Sequence, residues 1–257
     1  MRRGLAALLL AAALGGCYDI RVQPPVRVLP ADAAFAWPSV LAEAVDDAGR
    51  VDLRRIAAAH GALDLAAEAV AEADPAYLAG SEALPDALPD RADRLAFLIN
   101  ASNTLWVVGA IREGIPDRLG PVGRADVLRL ARFTVAGREM TLDTLQRDQV
   151  MPYAAGPSGD WRVPLALYCP AVSCPGLART PYTGPGLDGQ LQAAAQRFLA
   201  DPRNVQVDAA ARTVRVSALL APTPGLVATI NRARGGPPIP GDYRVEPLPF
   251  DWAVPAP

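Results

Sequence analysis

Two cysteines, Cys169 and Cys174, are the side chains of this sequence best suited to nucleophilic or redox chemistry. A thiol attacks a substrate only as its thiolate, which requires a nearby base or a positive field. The single histidine, His60, follows three alanines far upstream of both cysteines. Nothing in the sequence brings it to them, so a position at a helix end or on the surface is the simpler interpretation of His60.

Several pairings are open to the two cysteines. In an oxidising compartment such a pair indicates a disulfide, and four residues beginning with Pro170 can form the closed loop if the geometry allows it. A free thiol pair and a two-thiolate metal site are the alternatives. Zinc takes four ligands and the chain offers one histidine, so we predict no metal and no cofactor.

The composition excludes other chemistries. The chain has no lysine, which rules out Schiff-base catalysis and a phosphate-binding P-loop. No nucleophile elbow, zinc-binding His-Glu-x-x-His helix or dinucleotide glycine motif is present. A formal net charge of -2 predicts no nucleic-acid partner, and a hydrophobic content of 51% is enough for a sizeable core.

A third cysteine, Cys17, follows an N-terminal leader. Met1-Arg2-Arg3 is cationic, and the apolar run over residues 5–14 is shorter than the ~20 residues that span a bilayer. The sequence Leu14-Gly15-Gly16-Cys17 resembles a bacterial lipobox, which implies cleavage before Cys17 and a lipid on that cysteine. Several acyl chains make a stable anchor. An ordinary signal peptide with a chance cysteine, or a buried N-terminal helix, is the alternative.

We therefore expect a lipid-anchored protein of the cell envelope whose first partner is the membrane. In such proteins an aspartate directly after the lipidated cysteine usually favours retention in the inner membrane. Here that position is Tyr18, which favours the outer membrane, facing the periplasm. We predict a signal peptide over residues 1–16 and a lipidated cysteine with a flexible tether over residues 17–36. Residues 37–257 then form the globular domain.

The cysteines need a scaffold, and its longest apolar run is Leu95 to Ile111, which begins after Asp90. Polar residues in its middle indicate a central buried helix and argue against a membrane span. Asn100 and Asn103 stand at i and i+3 on one side of this helix. Their amides either bind a ligand or form hydrogen bonds with backbone groups of the cysteine loop. We favour the bonds to the backbone, because buried polar groups need hydrogen-bond partners.

The other elements are short, and the predicted fold class is α+β: a mostly helical single domain with small antiparallel β-hairpins. Phe133 to Met140 is typical of a hairpin that turns at Ala136-Gly137, after which Thr141 caps a helix. We expect the tail from Pro222, rich in proline and glycine, to wrap the surface. The remaining predicted elements are helices between Trp37 and Ala73 with a cap at Asp52, a buried segment over 163–167, an amphipathic helix over 187–199, and strands over 205–207 and 213–216.

Several segments, in order, resemble the family called domain of unknown function 547 (DUF547). Residues 95–105 resemble its Phe-Trp-Ile-Asn helix, residues 166–177 its Ala-Leu-Asn-Cys and Ser-Cys-Pro signature, and Phe250-Asp251-Trp252 its closing Tyr-Asp-Trp. The resemblance extends from about Ala57 to Trp252. The family has no settled activity, so the resemblance implies a fold more than a reaction.

This chain departs from the family pattern at polar positions. Pro164 stands where a histidine is usual, Gln146-Arg147 where the family has Glu-His, and Tyr168 where it has asparagine. If the family uses a cysteine with a histidine and a carboxylate, this chain lacks those partners.

Two functional hypotheses remain. The first is a non-catalytic binding or scaffold module for an unknown protein or small-molecule ligand, with a structural loop between Cys169 and Cys174. The second is a cysteine-dependent hydrolase or acyl-transferase that acts on envelope substrates, with Cys169 or Cys174 as its nucleophile. We favour the first because no histidine stands near the cysteines in sequence.

Overall fold

The computed structural model describes residues 33–78, 90–115, 120, 126–155, 159–223 and 225–255. The predicted signal peptide and Cys17 lie outside these residues, as does most of the predicted tether, and the side chain of His60 is also outside the description. The longer helices are α1 (Ala33–Ala44), α2 (Leu53–Ala58), α3 (His60–Ala71), α4 (Arg91–Arg112), α5 (Leu187–Ala200) and α6 (Leu226–Arg234).

Short helical segments join these helices. Two of them are π-helical, over Asp126–Leu130 and Leu145–Val150, and one helical turn over Leu142–Thr144 is capped by Thr141 as predicted. The described residues also include 3-10 turns over Pro75–Tyr77, Met151–Tyr153, Val163–Ala166 and Ala218–Leu220.

Within the part of the chain that the structure describes, five strands form two small sheets. The hairpin of β1 (Arg132–Val135) and β2 (Arg138–Thr141) is antiparallel, with Phe133 opposite Met140. Ala136 and Gly137 both have positive φ, 45° and 73°, as a two-residue hairpin turn requires. In the second sheet β4 (Thr213–Ser217) lies between β3 (Val205–Asp208) and β5 (Arg244–Leu248).

The predicted α+β class is confirmed, with one addition to its sheets. β3 and β4 form the expected antiparallel pair, but β5 adds to β4 in parallel, with Val214 opposite Val245. The tail beyond Pro222 supplies both α6 and β5, which the sequence analysis did not predict. The tail therefore contributes a strand to the second sheet.

Helix α4 is the centre of the larger core. Its N-terminus is capped by Asp90, which accepts the backbone N–H of Ala92 at 2.8 Å. By length and apolar composition α4 could cross a membrane, but 78% of its apolar window is buried inside the protein. Leu98, Ile99 and Val107 are completely buried. The helix occupies the position of a core helix.

The core consists of two apolar clusters. The larger surrounds α4 and takes in α1, α2, α3 and the β1–β2 hairpin. The smaller joins α5, α6 and the second sheet, with Leu199, Val214 and Ile230 at its centre. The segment 163–168 contributes to both clusters, with Leu165 in the smaller one and Val163, Ala166 and Tyr168 in the larger, so the two clusters meet just before Cys169.

Candidate functional site

The cysteine loop (residues 169–174) lies where the two clusters meet. The sulfur atoms of Cys169 and Cys174 are at disulfide-bonding distance, and their Cα atoms are 5.5 Å apart, within the normal range for a disulfide. Two backbone hydrogen bonds tighten the ring: Ala171 N donates to Cys169 O at 2.8 Å, and Cys174 N donates to Ala171 O at 3.0 Å. This geometry supports the predicted pairing.

Asn103 holds the chain that enters the loop. Its side-chain NH₂ donates to Ala166 O at 3.0 Å, and its Oδ1 accepts the backbone N–H of Tyr168 at 2.9 Å. Asn103 is 2% exposed, so water does not compete for these bonds. The residue before Cys169 is thereby fixed to α4.

Asn100, one helical turn earlier, also donates one hydrogen bond and accepts one, but both of its bonds are with Tyr182. Its Nδ2 donates to Tyr182 O at 2.8 Å, and its Oδ1 accepts Tyr182 N at 2.9 Å. Gln190 of α5 binds the same segment from the other side, through Pro181 O and Thr183 N. Residues 181–183 are therefore held between α4 and α5, away from the cysteine loop itself.

A close backbone contact fixes the chain that leaves the loop. Leu177 N donates to Gly49 O at 3.0 Å, in the turn that follows α1. A Cβ atom on Gly176 would lie 2.4 Å from that same carbonyl oxygen, so no side chain fits there. Gly49 has a φ of 80°, which glycine adopts without strain.

The C-terminal segment (residues 250–255) returns to the cysteine loop after β5. Val172 N donates to Ala253 O at 2.8 Å, and Ser173 N donates to Asp251 O at 3.2 Å. In return Asp251 N donates to the hydroxyl of Ser173 at 2.8 Å. The middle of the cysteine loop thus pairs with the end of the chain.

A cavity of about 70 Å³ lies beside the loop, and we call it the loop cavity. Its wall includes both half-buried cysteines, Tyr168 and Val254 of the C-terminal segment. The charged residues that line it are Arg50, Arg197, Asp201 and Arg203.

The lining is net positive. Arg203 pairs with Asp201, and Arg50 pairs with Asp46, but among the described residues no ion pair joins Arg197 to a carboxylate. Burial raises the pKa of Asp201, but hydrogen bonds from the side chain and backbone of Arg203 outweigh it and leave that pKa below its ordinary value. Asp201 is therefore an anion, and its charge is already matched.

Asn204 contributes an unusual buried acceptor to the same wall. It is 4% exposed, and its Nδ2 donates to Phe198 O at 3.0 Å. Its Oδ1 has no hydrogen-bond donor among the described residues, although buried polar atoms usually have one. The described chain also contains no group of three or more His, Cys, Asp or Glu side chains that could hold a metal ion.

The positions that depart from the family pattern are not assembled for acid–base chemistry. Gln146 donates its amide to the hydroxyl of Ser102 at 2.9 Å, and Arg147 pairs on the surface with Asp143 and Asp148. Pro164 lies in a 3-10 turn. Burial in apolar surroundings raises the pKa of the Tyr168 hydroxyl far above its ordinary value, so Tyr168 stays neutral.

Sequence analysis identified part of this site. It found Cys169, Cys174 and Asn103, which the structure brings together at the loop, and Asn100, which lies with Tyr182. It missed the lining residues Arg197, Asn204 and Val254. These residues come from α5, the turn after α5 and the end of the chain, and no local pattern links such segments to the cysteines.

A search of curated proteins and a search of solved structures each found no match. A scan of family models found one described as "Protein of unknown function, DUF547", which matches residues 85–199. That range holds α4, the β1–β2 hairpin, the cysteine loop and nearly all of α5, while the C-terminal segment lies beyond it. The match supports a DUF547 domain over residues 85–199 of this chain.

Proposed function

We propose that this protein is a membrane-anchored envelope lipoprotein whose globular domain is a non-catalytic binding or scaffold module. The observation that carries the proposal is the position of the Cys169 and Cys174 sulfurs, at bonding distance from each other on the wall of the loop cavity. A sulfur in a disulfide has no thiolate with which to attack a substrate. The strongest candidate nucleophiles are thereby occupied with each other.

The loop cavity suggests what the module binds. Its volume of about 70 Å³ has room for a few water molecules and is well below the ~300 Å³ or more of a pocket for a drug-sized ligand. Arg197 offers a guanidinium that is not neutralised by a carboxylate of the described residues. Guanidinium groups bind carboxylates with two parallel hydrogen bonds. The cavity therefore favours a small anionic group, such as a carboxylate on a small molecule or on a protein partner.

The anchor rests on the leader sequence. The cationic Met1-Arg2-Arg3, the short apolar run and the small residues before Cys17 have the order that a lipoprotein signal requires. Lipid on Cys17 would hold the domain at the periplasmic face of the outer membrane. The proline-containing stretch that follows would act as a spacer between the lipid and the domain.

The test is the mass and thiol state of the full chain isolated from membranes. We expect an acylated Cys17, no alkylation of the denatured protein before reduction, and alkylation of both Cys169 and Cys174 after it. The Cys17→Ser variant is the matched control, since it should lose the acyl mass and the membrane association but keep the same alkylation pattern.

Other results would count against the proposal. One thiol that is alkylated rapidly in the native protein would favour the second hypothesis, a cysteine-dependent hydrolase or acyl-transferase, and would identify its nucleophile. An unmodified Cys17 would remove the membrane anchor and leave the domain to be explained as a soluble module.

A further inference from the structure

The cysteine loop and the C-terminal segment form one unit. Three hydrogen bonds join them, and in each the loop partner is Val172 or Ser173, inside the ring that Cys169 and Cys174 close. The bond between the two sulfurs constrains the ring conformation, and with it the direction of the Val172 and Ser173 N–H groups that meet the C-terminal segment.

The chain on both sides of the ring is held independently of that bond. Before the ring, Tyr168 is bound by Asn103 of the buried helix α4. After the ring, Leu177 is bound by the carbonyl of Gly49. Opening the disulfide would therefore free the stretch between Tyr168 and Leu177 and leave the anchoring segments in place.

The two sulfurs are placed where a reductant can act. Both cysteines are half-buried and line the loop cavity, together with three arginines and one aspartate. A positive surrounding stabilises the thiolate that leaves when a disulfide is attacked, and this speeds exchange.

The C-terminal segment is also a wall of the loop cavity, because Val254 and Pro255 line it together with the charged residues. We propose that the Cys169–Cys174 disulfide is a redox-sensitive latch, which holds the C-terminal segment over the loop cavity when oxidised and releases it when reduced. Control of ligand access by this latch rests on the proposed binding function. The latch itself does not.

The chemistry requires a thiol reductant as co-reactant. A thiolate of a dithiol attacks one sulfur, the Cys169–Cys174 bond breaks, and the other cysteine leaves as a thiolate and takes up a proton. The second thiol of the reductant then attacks the mixed disulfide. The products are two protein thiols and the oxidised cyclic reductant, so two electrons and two protons pass to the protein.

Hydrogen exchange of the full chain, oxidised and then reduced with dithiothreitol, tests the latch. On reduction we expect the amides of Val172, Ser173 and Asp251 to lose protection by about tenfold or more, the change that follows loss of about one hydrogen bond each. Core amides of α4, such as those of Ile99 and Val107, should keep theirs.

Two variants sharpen the test. Cys169→Ser with Cys174→Ser should reproduce the reduced pattern without reductant, and Ser173→Ala should deprotect Asp251 while the disulfide stays closed. Unchanged protection in the reduced protein would overturn the latch. An equal loss of amide protection throughout α4 would also overturn the latch, because the disulfide would then stabilise the whole fold. The measurement uses no ligand, so its failure and the failure of the binding proposal are distinguishable.

Discussion

The side-chain oxygen of Asn103 accepts the backbone N–H of Tyr168 at 2.9 Å, one residue before Cys169. Through this bond the central helix α4 sets the point at which the cysteine loop begins. The loop cavity and the disulfide therefore depend on a polar side chain that is itself buried in the apolar core.

Asn103→Ala should destabilise the protein by about 2–4 kcal/mol. The substitution leaves the carbonyl of Ala166 and the N–H of Tyr168 buried without partners, and each such group costs about 1–3 kcal/mol. Urea unfolding followed by circular dichroism measures the loss. Asn100→Ala is the matched control, because its bonds to Tyr182 are partly exposed and should cost less. An equal or smaller loss in Asn103→Ala would contradict the assigned role.

Gly176→Ala should cost about 1–3 kcal/mol, as overpacking in tight interiors does. The added methyl group would lie 2.4 Å from Gly49 O, which is backbone and cannot swing away. Gly189→Ala provides the comparison, since nothing lies within 4 Å of its Cβ position in α5. Gly189 lies in the first turn of α5 without a positive φ, so alanine should stabilise the protein by about 0.4–1 kcal/mol, chiefly by restricting the unfolded chain. Thermal unfolding of both variants would show opposite shifts, and shifts of the same sign would refute the contact.

The ion pair of Asp160 with Arg162 should make stability depend on acid pH. Burial raises the pKa of Asp160, but hydrogen bonds from Arg162 outweigh it and hold that pKa below its ordinary value. A depressed carboxyl pKa in the folded state stabilises the protein above about pH 4, and that contribution is lost as the pH falls through the folded value. The stability difference between the native chain and Asp160→Asn should therefore shrink from about pH 6 to about pH 2.

Urea unfolding of both proteins across this range is the measurement. Asp188→Asn serves as control, because Asp188 pairs with the same Arg162 but its side chain is 90% exposed, and exposed pairs contribute little. A constant difference between the native chain and Asp160→Asn at all pH values would show that the pair does not couple to folding.

Asp90→Ala should destabilise the protein by about 1 kcal/mol, the usual cost of losing an N-cap. The carboxylate accepts the N–H of Ala92 at the first turn of α4, and alanine cannot replace it. Asp90→Asn keeps an acceptor in the same place and should retain most of the stability. Denaturation midpoints of the three proteins give the order, and identical midpoints would show that the cap is unimportant.

Local signals explain what the sequence could predict of the fold. The turn at Ala136-Gly137 and the caps at Asp52 and Thr141 depend on neighbouring residues, and each lies where it was expected. The parallel addition of β5 to β4 depends on contacts between residues about thirty positions apart. The prolines and glycines around β5 and α6 indicated turns, so neither element was predicted.

The same distinction holds for the candidate site. Cys169, Cys174 and Asn103 stand out by residue type, since two thiols and a polar residue in an apolar helix are unusual. Arg197 and Asn204 look like ordinary helix-end residues in the sequence. Their place beside the cysteines follows from the packing of α5 against the 3-10 turn at Val163–Ala166, a tertiary contact without a sequence pattern.

Asn100 and Asn103 are separated by a step of three residues on α4, and each holds a different part of the chain: Asn100 binds Tyr182, and Asn103 binds Tyr168. This step therefore sets the spacing between the two segments. One residue inserted or deleted within this step would rotate one amide by about 100° around α4 and detach its segment. Between the two tyrosines, the disulfide ring and the bond of Leu177 to Gly49 fix the first part of the chain as well. Length variation in related chains should therefore fall between Leu177 and Tyr182, and this turn of α4 should admit neither insertions nor deletions.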